Sequence, residues 1–236
     1  MISVVTFLWQ PRRNYRSQFG PEHVNTLARM VARHYKRPHR FIVVSDTAEG
    51  IDNDLVEIVP LWDDFADLPS PHGAANPSCY RRLKMYAPEM AEVFGPRVAI
   101  MDLDCVVTDD LCPIFDCPQD FRIWGMTNPN NPYNGSLTVM DTGARPQVWT
   151  DFDPVASPAK ARQMGYYGSD QAWLCACLGP DEARFGRTDG VYSFRVDLQQ
   201  GKRELPHNAR IVFFHGSHDP WREPASRLHW VQRHYR

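Results

Sequence analysis

The sequence lacks any apolar run that approaches the roughly 18 residues of a membrane-spanning helix, so it predicts no transmembrane segment. Its opening stretch, MISVVTFLWQ, has no basic region ahead of the apolar residues and no small-residue cleavage site, so a secretory leader is not expected. Internal repeats and linker-like stretches are also missing. With 236 residues, the chain is expected to form one α/β domain over 1–236.

The sequence also lacks paired cysteine motifs, although it contains six cysteines. None of them forms a Cys-x-x-Cys pair, and their spacing is not that of a small secreted scaffold held by disulfides. Cys175 and Cys177 lie in a predicted helix, where residues i and i+2 point apart. We expect reduced thiols in a cytoplasmic protein, and a zinc site from Cys112, Cys117 and a histidine is the less favoured alternative.

The chain also lacks a large excess of one charge, because its formal net charge is −2. That value argues against polyanion binding through bulk charge. The charges are nevertheless unevenly spread. Residues 12–40 carry eight arginine and lysine side chains against Glu22 alone, whereas 46–67 carry eight acidic side chains and no lysine or arginine. This asymmetry indicates a polar or anionic partner on one face, with solvated surface charge as the alternative.

The sequence does contain a strand–helix–strand pattern near its start. Apolar, β-branched runs at 3–9, 41–46 and 55–61 predict strands, and 21–35 repeats apolar positions at helical spacing behind a proline. This order predicts a βαβ unit and an α/β fold with a mixed, mainly parallel central sheet flanked by helices. The other predicted elements are a helix at 78–95 interrupted near Pro88, a central strand at 97–104, a strand at 134–143, a helix at 168–179, a late strand and loop at 210–221 and a final helix at 225–236.

Two carboxylates, Asp102 and Asp104, close the apolar run VAIMDLD. Alternate residues of a strand point the same way, so both side chains are expected on one face, with Leu103 turned into the opposite packing. The carboxyl ends of central strands are where open α/β sheets bind ligands. Two hard oxygen ligands there suit Mg²⁺ or Mn²⁺ beside a phosphate, and a helix cap with a surface salt bridge is the alternative.

The same Asp-x-Asp pattern resembles that of the haloacid dehalogenase phosphatases, in which the first carboxylate is a nucleophile and the second an acid/base. Two features count against this interpretation. The pair follows a complete βαβ unit instead of opening the fold, and the segment GSDQAW supplies only one of the downstream carboxylates expected for the metal of those enzymes.

Four segments, in their order, resemble GT-A glycosyltransferases, closest to family 8, the glycogenin and lipopolysaccharide galactosyltransferase group. They are RRLKM at 81–85, MDLDCVVTDDL followed by CPIF at 101–115, YNGSLTVMD at 133–141, and GSDQAWL with FFHGSHDPW at 168–174 and 213–221. Each motif alone is weak, and their order and spacing carry the resemblance.

The resemblance implies the GT-A (Rossmann-like) fold and transfer of a sugar from a nucleotide-diphosphosugar, commonly a UDP-sugar. It implies a divalent ion, Mn²⁺ or Mg²⁺, held by Asp102, Asp104 and His215, which would neutralise a departing diphosphate. One departure from the family pattern concerns the closing motif, where a lysine usually precedes Pro-Trp and this chain has Asp219. His218 or an arginine such as Arg222 is expected to supply that charge.

The resemblance also implies donor contacts and catalytic residues. The expected donor-binding residues are Thr6, Phe7, Asp46, Arg82, Lys84, Asp102, Leu103, Asn134, Gly135, Ser136, Gly216 and His218. Asp170 and Gln171, at the start of a helix, are the expected catalytic residues. With retention of configuration, as in family 8, they would steady the sugar during same-side attack, or Asp170 would form a glycosyl-enzyme intermediate.

The acceptor is left open. The C-terminal segment WREPASRLHWVQRHYR interleaves arginines with large aromatics, and RRNYR at 12–16 repeats the theme. Such segments suit a lipid-linked saccharide at the inner face of a membrane, or a nucleic acid, so a glycan and modified DNA are both candidate acceptors. An ordinary amphipathic helix is the alternative explanation. Apart from glycosyl transfer, a phosphatase and a non-catalytic nucleotide-sugar-binding protein stay open.

Overall fold

The computed structural model describes residues 1–10, 18–73, 78–128, 130–198, 204–216 and 218–236. In chain order, its strands and α-helices are β1 (Ile2–Leu8), α1 (Pro21–His34), β2 (His39–Ser45), β3 (Glu57–Pro60), α2 (Met90–Phe94), β4 (Arg97–Met101), β5 (Cys105–Val107), α3 (Cys112–Phe115), β6 (Phe121–Asn128), β7 (Asn131–Asp141), α4 (Gln147–Thr150), α5 (Ala156–Gln163), α6 (Asp170–Leu178), β8 (Arg184–Phe185), β9 (Val191–Ser193), β10 (Ile211–Phe213) and α7 (His229–His234). Shorter 3₁₀ segments cover Tyr80–Tyr86, Arg187–Asp189 and Ala225–Arg227, and a π-helical turn covers Phe194–Leu198.

The predicted βαβ unit is present at the start of the fold. Strands β1 and β2 pair in parallel, and α1 connects them. A proline at position 21 suits the first turn of α1, because the N–H that it lacks has no partner inside a helix at that position. The face of α1 that carries Val24, Leu27 and Val31 is buried, as the apolar spacing predicts.

The larger sheet has the strand order β3-β2-β1-β4-β7-β6-β8. Its pairs are parallel except at β7, which is antiparallel to both β4 and β6. Successive residues of β1 lie in different apolar clusters, Val4 with α1 and Val5 with the Tyr80–Tyr86 segment. The sheet is therefore covered on both faces, and the expected mainly parallel α/β architecture is confirmed.

A smaller sheet of order β5-β10-β9 brings distant parts of the chain together. Strand β10 runs antiparallel to β5, with Phe213 opposite Cys105, and parallel to β9, with Phe213 opposite Ser193. The next residue extends this pairing, because the N–H of Phe214 donates to the carbonyl of Asp104 at 2.6 Å. Asp104, the end of β9 and the segment that follows β10 are thereby placed side by side.

Two predicted elements differ in detail from the structure. Strand β4 ends at Met101, so Asp102 and Asp104 lie in the bend between β4 and β5, and strand alternation does not set their direction. The expected helix over 78–95 is a 3₁₀ segment at Tyr80–Tyr86 followed by α2. Tyr80, Leu83 and Tyr86 are buried at a spacing of three, which matches the three residues per turn of a 3₁₀ helix. None of the helices in the described ranges is long and apolar enough to cross a lipid bilayer.

Candidate active site

Arg82 lies at the centre of a largely buried ion-pair cluster. Its Nη1 donates to Oδ1 of Asp102 at 2.7 Å, its Nη2 donates to the carbonyl of Gly135 at 2.6 Å, and its Nε lies 3.4 Å from Oδ2 of Asp170. The Arg82 side chain is 14% exposed, against 29% for Asp102 and 10% for Asp170. We call Arg82, Asp102 and Asp170 the Arg82 cluster. The cluster links the 3₁₀ segment, which carries Arg82, to the end of β4 and to the start of α6.

The charges of the Arg82 cluster depend on one another. Burial opposes the charge of Arg82, yet the carboxylates of Asp102 and Asp170 hold the pKa of the guanidinium above its ordinary value. Burial raises the pKa of Asp170, an effect that Arg82 opposes and Asp102 reinforces. Two carboxylates therefore share one cation, so losing that cation would leave a repulsive buried pair.

Residues 134–136 of β7 lie next to the Arg82 cluster, and their contacts with it are made largely by the backbone. The carbonyl of Ser136 accepts from the N–H of Asp102 at 3.0 Å, and Oδ1 of Asn134 accepts from the N–H of Ser136 at 2.9 Å. Position 135 lies close to Arg82 and Gln171, because a Cβ there would be 3.7 Å from Nη2 of Arg82 and 3.8 Å from the Cβ of Gln171. The expected donor residues Asn134, Gly135 and Ser136 thus adjoin the Arg82 cluster.

Asp104 lies among other carboxylates. Burial raises the pKa of Asp104 well above its ordinary value, and the charges of Asp102 and Asp219 raise it further. Asp219 is 1% exposed, and its Oδ2 lies 3.3 Å from Nε of Arg222. The arginine that the sequence suggested as the replacement for the closing-motif lysine is thus directed at Asp219. Asp104 and Asp219 therefore form an acidic group with Asp102, which also belongs to the Arg82 cluster.

His215 follows β10 and lies at the end of the smaller sheet. Its Nε2 is 2.8 Å from the hydroxyl oxygen of Ser193, and its ring meets Trp124 edge to face, with centroids 5.8 Å apart. Burial, together with the positive charge of Arg195, lowers the pKa of His215 to about 4. The imidazole is therefore neutral at pH 7, which is the form that binds a metal.

Gly216, the next residue, is closely approached by Arg195. A Cβ at position 216 would lie 3.1 Å from Nη1 of Arg195, and φ of Gly216 is +77°, a conformation that favours glycine. Arg195 is exposed and forms no hydrogen bond or ion pair with the described part of the chain. His218, also expected at the site, packs edge to face against Phe194 at 5.6 Å.

The expected metal ligands are close in the fold but are not arranged as a closed cage. Among the described residues, no three His, Cys, Asp or Glu side chains are grouped as ligands of one ion. Asp102 is hydrogen-bonded to Arg82, and His215 to Ser193. The chemistry of the donor set nevertheless fits a divalent ion, because Asp104 lies among like charges that such an ion would neutralise.

A cavity of about 250 Å³ opens beside the Arg82 cluster. Its lining side chains and backbone come from Ser70, His72, Cys79, Arg82, Asp102, Gly135, Ser136, Tyr167, Gly168, Ser169, Asp170 and Gln171. Both expected catalytic residues, Asp170 and Gln171, are in this wall at the start of α6. Ser169 precedes that helix, but its hydroxyl accepts from the N–H of Cys79 at 3.0 Å and does not cap the helix.

The residues expected at the nucleotide end are placed along β1 and β2. Thr6 is fully buried, and Phe7 meets Trp9 and Trp62 edge to face, with Arg82 5.8 Å from its ring. Asp46 accepts from the N–H of Gln10, with its nearer oxygen at 3.0 Å.

Two other expected donor residues lie outside the Arg82 cluster. Leu103 is 3% exposed and packs in the core. Lys84 donates to Asp64 at 2.7 Å and lies near the rings of Trp62 and Trp149. The structure therefore does not bring Lys84 to the cavity.

The aromatic side chains of the C-terminal segment are packed against the protein. Trp221 contacts His23 and Phe19, with centroids 4.0 and 5.6 Å away, and Trp230 is 8% exposed within the core. Base stacking on these tryptophans, which the sequence pattern allowed, is therefore not favoured. The other basic and aromatic stretch, 12–16, lies outside the described residues.

Sequence reasoning missed three residues that border the site: His72, Tyr167 and Arg195. His72 and Tyr167 line the cavity, and Arg195 covers Gly216. None of them lies in a recognisable motif. Exposed aromatics and arginines are also common on protein surfaces, so only the fold reveals their neighbours.

Solved glycosyltransferases share this fold. The galactosyltransferase LgtC, in complex with donor and acceptor sugar analogues, is 15% identical with a TM-score of 0.63, over 98% of this chain and 93% of that one. GlyE from Streptococcus pneumoniae TIGR4 is 11% identical with a TM-score of 0.61, over 99% and 63%. The bifunctional WbbM is 12% identical with a TM-score of 0.55, over 95% and 47%. No protein-family model and no curated protein matches the sequence. The likeness confirms the expected GT-A fold.

Proposed function

We propose that this chain is a glycosyltransferase that moves a sugar from a nucleotide-diphosphosugar, with UDP as the favoured nucleotide, to an acceptor hydroxyl. The GT-A fold supports this activity, and one observation of the site carries it: a cavity lined by the Arg82 cluster at the end of central strand β4. Ligands of open α/β sheets bind at such strand ends. The proposal treats 1–236 as one catalytic domain.

Different residues of the cavity would make different contacts with the donor. Arg82 has a planar, permanently charged group that can hydrogen-bond sugar hydroxyls while Asp102 and Asp170 fix its orientation. The carbonyl of Gly135 holds the same guanidinium, so its direction is set from three sides. Gln171 lines the cavity beside Asp170 and offers an amide that donates and accepts. Such preorganised groups stabilise charge that develops during the reaction.

In the proposed reaction, the acceptor oxygen forms a bond to the anomeric carbon as the bond from that carbon to the diphosphate breaks. The acceptor proton moves to a diphosphate oxygen, and retention follows when attack and departure share one face. Asp170 is buried and already pairs with Arg82, so we assign it a positioning role in preference to nucleophilic attack.

A divalent ion, Mn²⁺ or Mg²⁺, completes the proposal. Asp102 and Asp104 would hold it together with the neutral imidazole of His215, and when bound it would neutralise the departing diphosphate. The acidic surroundings of Asp104 support this assignment, since Asp102 and Asp219 leave it short of compensating positive charge.

Thermal unfolding with UDP and Mn²⁺ tests the proposal first. At ligand concentrations about 100-fold above Kd, binding is expected to raise the melting temperature by roughly 5–10 °C. A screen for UDP release with different UDP-sugars and acceptors, DNA included, then identifies the reaction. No shift with any nucleoside diphosphate, together with phosphate-ester hydrolysis that Asp102→Asn abolishes, would favour a phosphatase. A shift without hydrolysis or transfer of any donor would favour a binding protein.

Arg195 is the residue to which we assign the positive charge that faces the diphosphate. It covers Gly216, is exposed and has no partner in the described ranges, whereas Arg222 is directed at Asp219. Arg195→Ala is expected to weaken UDP binding roughly tenfold at low ionic strength, because one charge-assisted contact is lost. The difference should narrow as salt is added, since the side chain is exposed. Isothermal titration with UDP and Mn²⁺ measures both effects.

Arg184→Ala is the matched control, because Arg184 is also exposed but lies on β8, outside the cavity and away from Gly216. It should bind UDP like the wild type. Equal affinities for the two variants would remove Arg195 from the site.

The proposed location is the cytoplasm. All six cysteines are free thiols in the structure, which supports a reducing compartment.

A further inference from the structure

An aromatic pair, the exposed Tyr167 and the half-buried His72, lies at the rim of the cavity. The rings of Tyr167 and His72 are stacked, with centroids 3.9 Å apart and planes 25° apart, and both residues line the cavity. Counted over the whole residue, Tyr167 is 52% exposed, whereas Asp170 in the same wall is 7% exposed. The cavity therefore has a buried charged end at the Arg82 cluster and an open aromatic end at Tyr167.

The backbone that carries Tyr167 is fixed by side chains. Asn131 is 1% exposed, and its amide both donates to the Tyr167 carbonyl at 2.6 Å and accepts from the Tyr167 N–H at 2.9 Å. Gln171 donates to the same carbonyl at 3.1 Å, and His72 accepts from the N–H of Gly168 at 3.0 Å. This network holds the backbone of an exposed ring in one position, which lowers the entropy lost when the ring binds a ligand.

The charge of the cavity selects the class of ligand. Arg82 is the one lysine or arginine among the described lining residues, and Asp102 and Asp170 already engage it. Sites for single-stranded nucleic acid combine stacking rings with a positively charged groove that follows the phosphates, and such a groove is not found in this lining. The lining offers hydroxyl, amide and carboxylate groups beside an aromatic face, and that combination suits a neutral polyhydroxylated ring.

We propose that Tyr167, backed by His72, is the platform on which the acceptor binds, and that the acceptor is a saccharide. This inference rests on the proposed function. The acceptor sugar stacks on Tyr167 and presents one hydroxyl toward the buried end of the cavity. That oxygen bonds to the anomeric carbon of the donor, the bond to the diphosphate breaks, and the hydroxyl proton leaves with the diphosphate.

The test compares Tyr167→Ala and Tyr167→Phe with the wild type in the presence of UDP and Mn²⁺. The probes are fluorescent neutral oligosaccharides and, in parallel, fluorescent single-stranded oligonucleotides, with binding read by anisotropy. Tyr167→Ala is expected to bind the preferred saccharide roughly tenfold more weakly, the loss typical of one stacking contact. Tyr167→Phe keeps the ring and should stay within about threefold of the wild type. In turnover assays, KM for the acceptor should rise in Tyr167→Ala with little change in KM for the donor.

Met164→Ala is the matched control, since Met164 is 49% exposed, lies three residues away and does not line the cavity. It should bind saccharides like the wild type, and all variants should keep the thermal shift with UDP. That shift reports on the proposed function separately from the platform. If the shift is present, the platform is overturned by unchanged saccharide affinity in Tyr167→Ala, by binding of oligonucleotides in preference to every saccharide, or by no saccharide binding at all.

Discussion

Replacing Arg82 with methionine is expected to lower the free energy of unfolding by about 3–5 kcal/mol at pH 7–8, the loss that follows when one partner of a buried ion pair is removed. The reason is specific to the Arg82 cluster. Asp102 and Asp170 share that single cation, so its removal leaves two carboxylates in mutual repulsion within a buried site. Chemical denaturation of the purified variants measures the change.

The pH dependence of this loss distinguishes charge from packing. Acid protonates carboxylates and removes the repulsion, so the deficit of Arg82→Met should shrink as the pH falls toward 4. Burial already raises the pKa of Asp170, which moves its protonation toward higher pH. Adding Asp170→Asn to Arg82→Met should recover part of the lost stability at pH 7. A deficit that is the same at every pH would attribute the effect to lost packing alone.

Arg122→Met provides a matched comparison. Arg122 is similarly buried, at 18% exposed, and within the described ranges it pairs with a single carboxylate, Asp189, at 2.7 Å. Its replacement is expected to remove a smaller amount, about 1–3 kcal/mol, because one charged hydrogen-bonding partner is left instead of two. It should also leave UDP binding intact. If the two substitutions lower the free energy of unfolding equally, the second carboxylate in the Arg82 cluster does not increase the cost of losing the arginine.

Asp104→Asn is expected to move metal-dependent binding and stability in opposite directions. Without metal, the variant should be more stable than the wild type at pH 7, because burial and the charges of Asp102 and Asp219 oppose ionisation of Asp104. With Mn²⁺, the variant should bind UDP at least about 100-fold more weakly, since the proposed ion would lose one of its carboxylate ligands. Melting temperature and isothermal titration calorimetry read the two effects independently.

The sign of the stability change follows from linkage. The pKa of Asp104 is higher in the folded chain than the ordinary value of 3.8, so the folded state binds the proton more tightly than the unfolded one. The protonated carboxyl of Asp104 therefore contributes its full stabilisation of the folded wild type below pH 3.8. That stabilisation is lost as the pH rises through the folded pKa. The advantage of Asp104→Asn should vanish in acid and grow with rising pH.

An exposed carboxylate close by serves as the control. Asp109→Asn removes the same charge five residues along the chain, at a position open to solvent. It should alter neither the metal-free melting temperature nor the affinity for UDP. Metal-dependent UDP binding that survives intact in Asp104→Asn would exclude Asp104 as a ligand.

Sequence pattern predicted the elements whose side chains follow a simple period. Strands β1, β2 and β4 are apolar on both faces, and α1 repeats its buried positions at helical spacing, so both kinds of element are recognisable without tertiary information. Strand β6 was missed, because arginine, glycine and threonine interrupt its apolar residues, and its pairing with β7 is irregular after Ile123. Helix α5 buries only Ser157 and Ala161, so it has no apolar stripe to detect.

The candidate site was predictable where motifs are local and not where neighbours come from distant segments. Asp102, Arg82 and Asp170 lie in three different motifs, and the fold places Arg82 2.7 Å from Asp102 and 3.4 Å from Asp170. The stacking of His72 on Tyr167 and the approach of Arg195 to Gly216 depend on tertiary placement alone. The separation of two residues in the sequence does not predict such contacts, because the loops between them can follow many paths.

The smaller sheet has a consequence for how the site comes into being during translation. Its strands are drawn from residues 105–107, 191–193 and 211–213, and Thr108 bonds to the carbonyl of Ala209 at 2.7 Å. A nascent chain carries the acidic residues of the β4–β5 bend long before the ribosome has made the histidine that faces them. Closing so long a loop is slow, and a chain that ends before residue 211 lacks β10 and the histidine, so it holds only part of the proposed donor site.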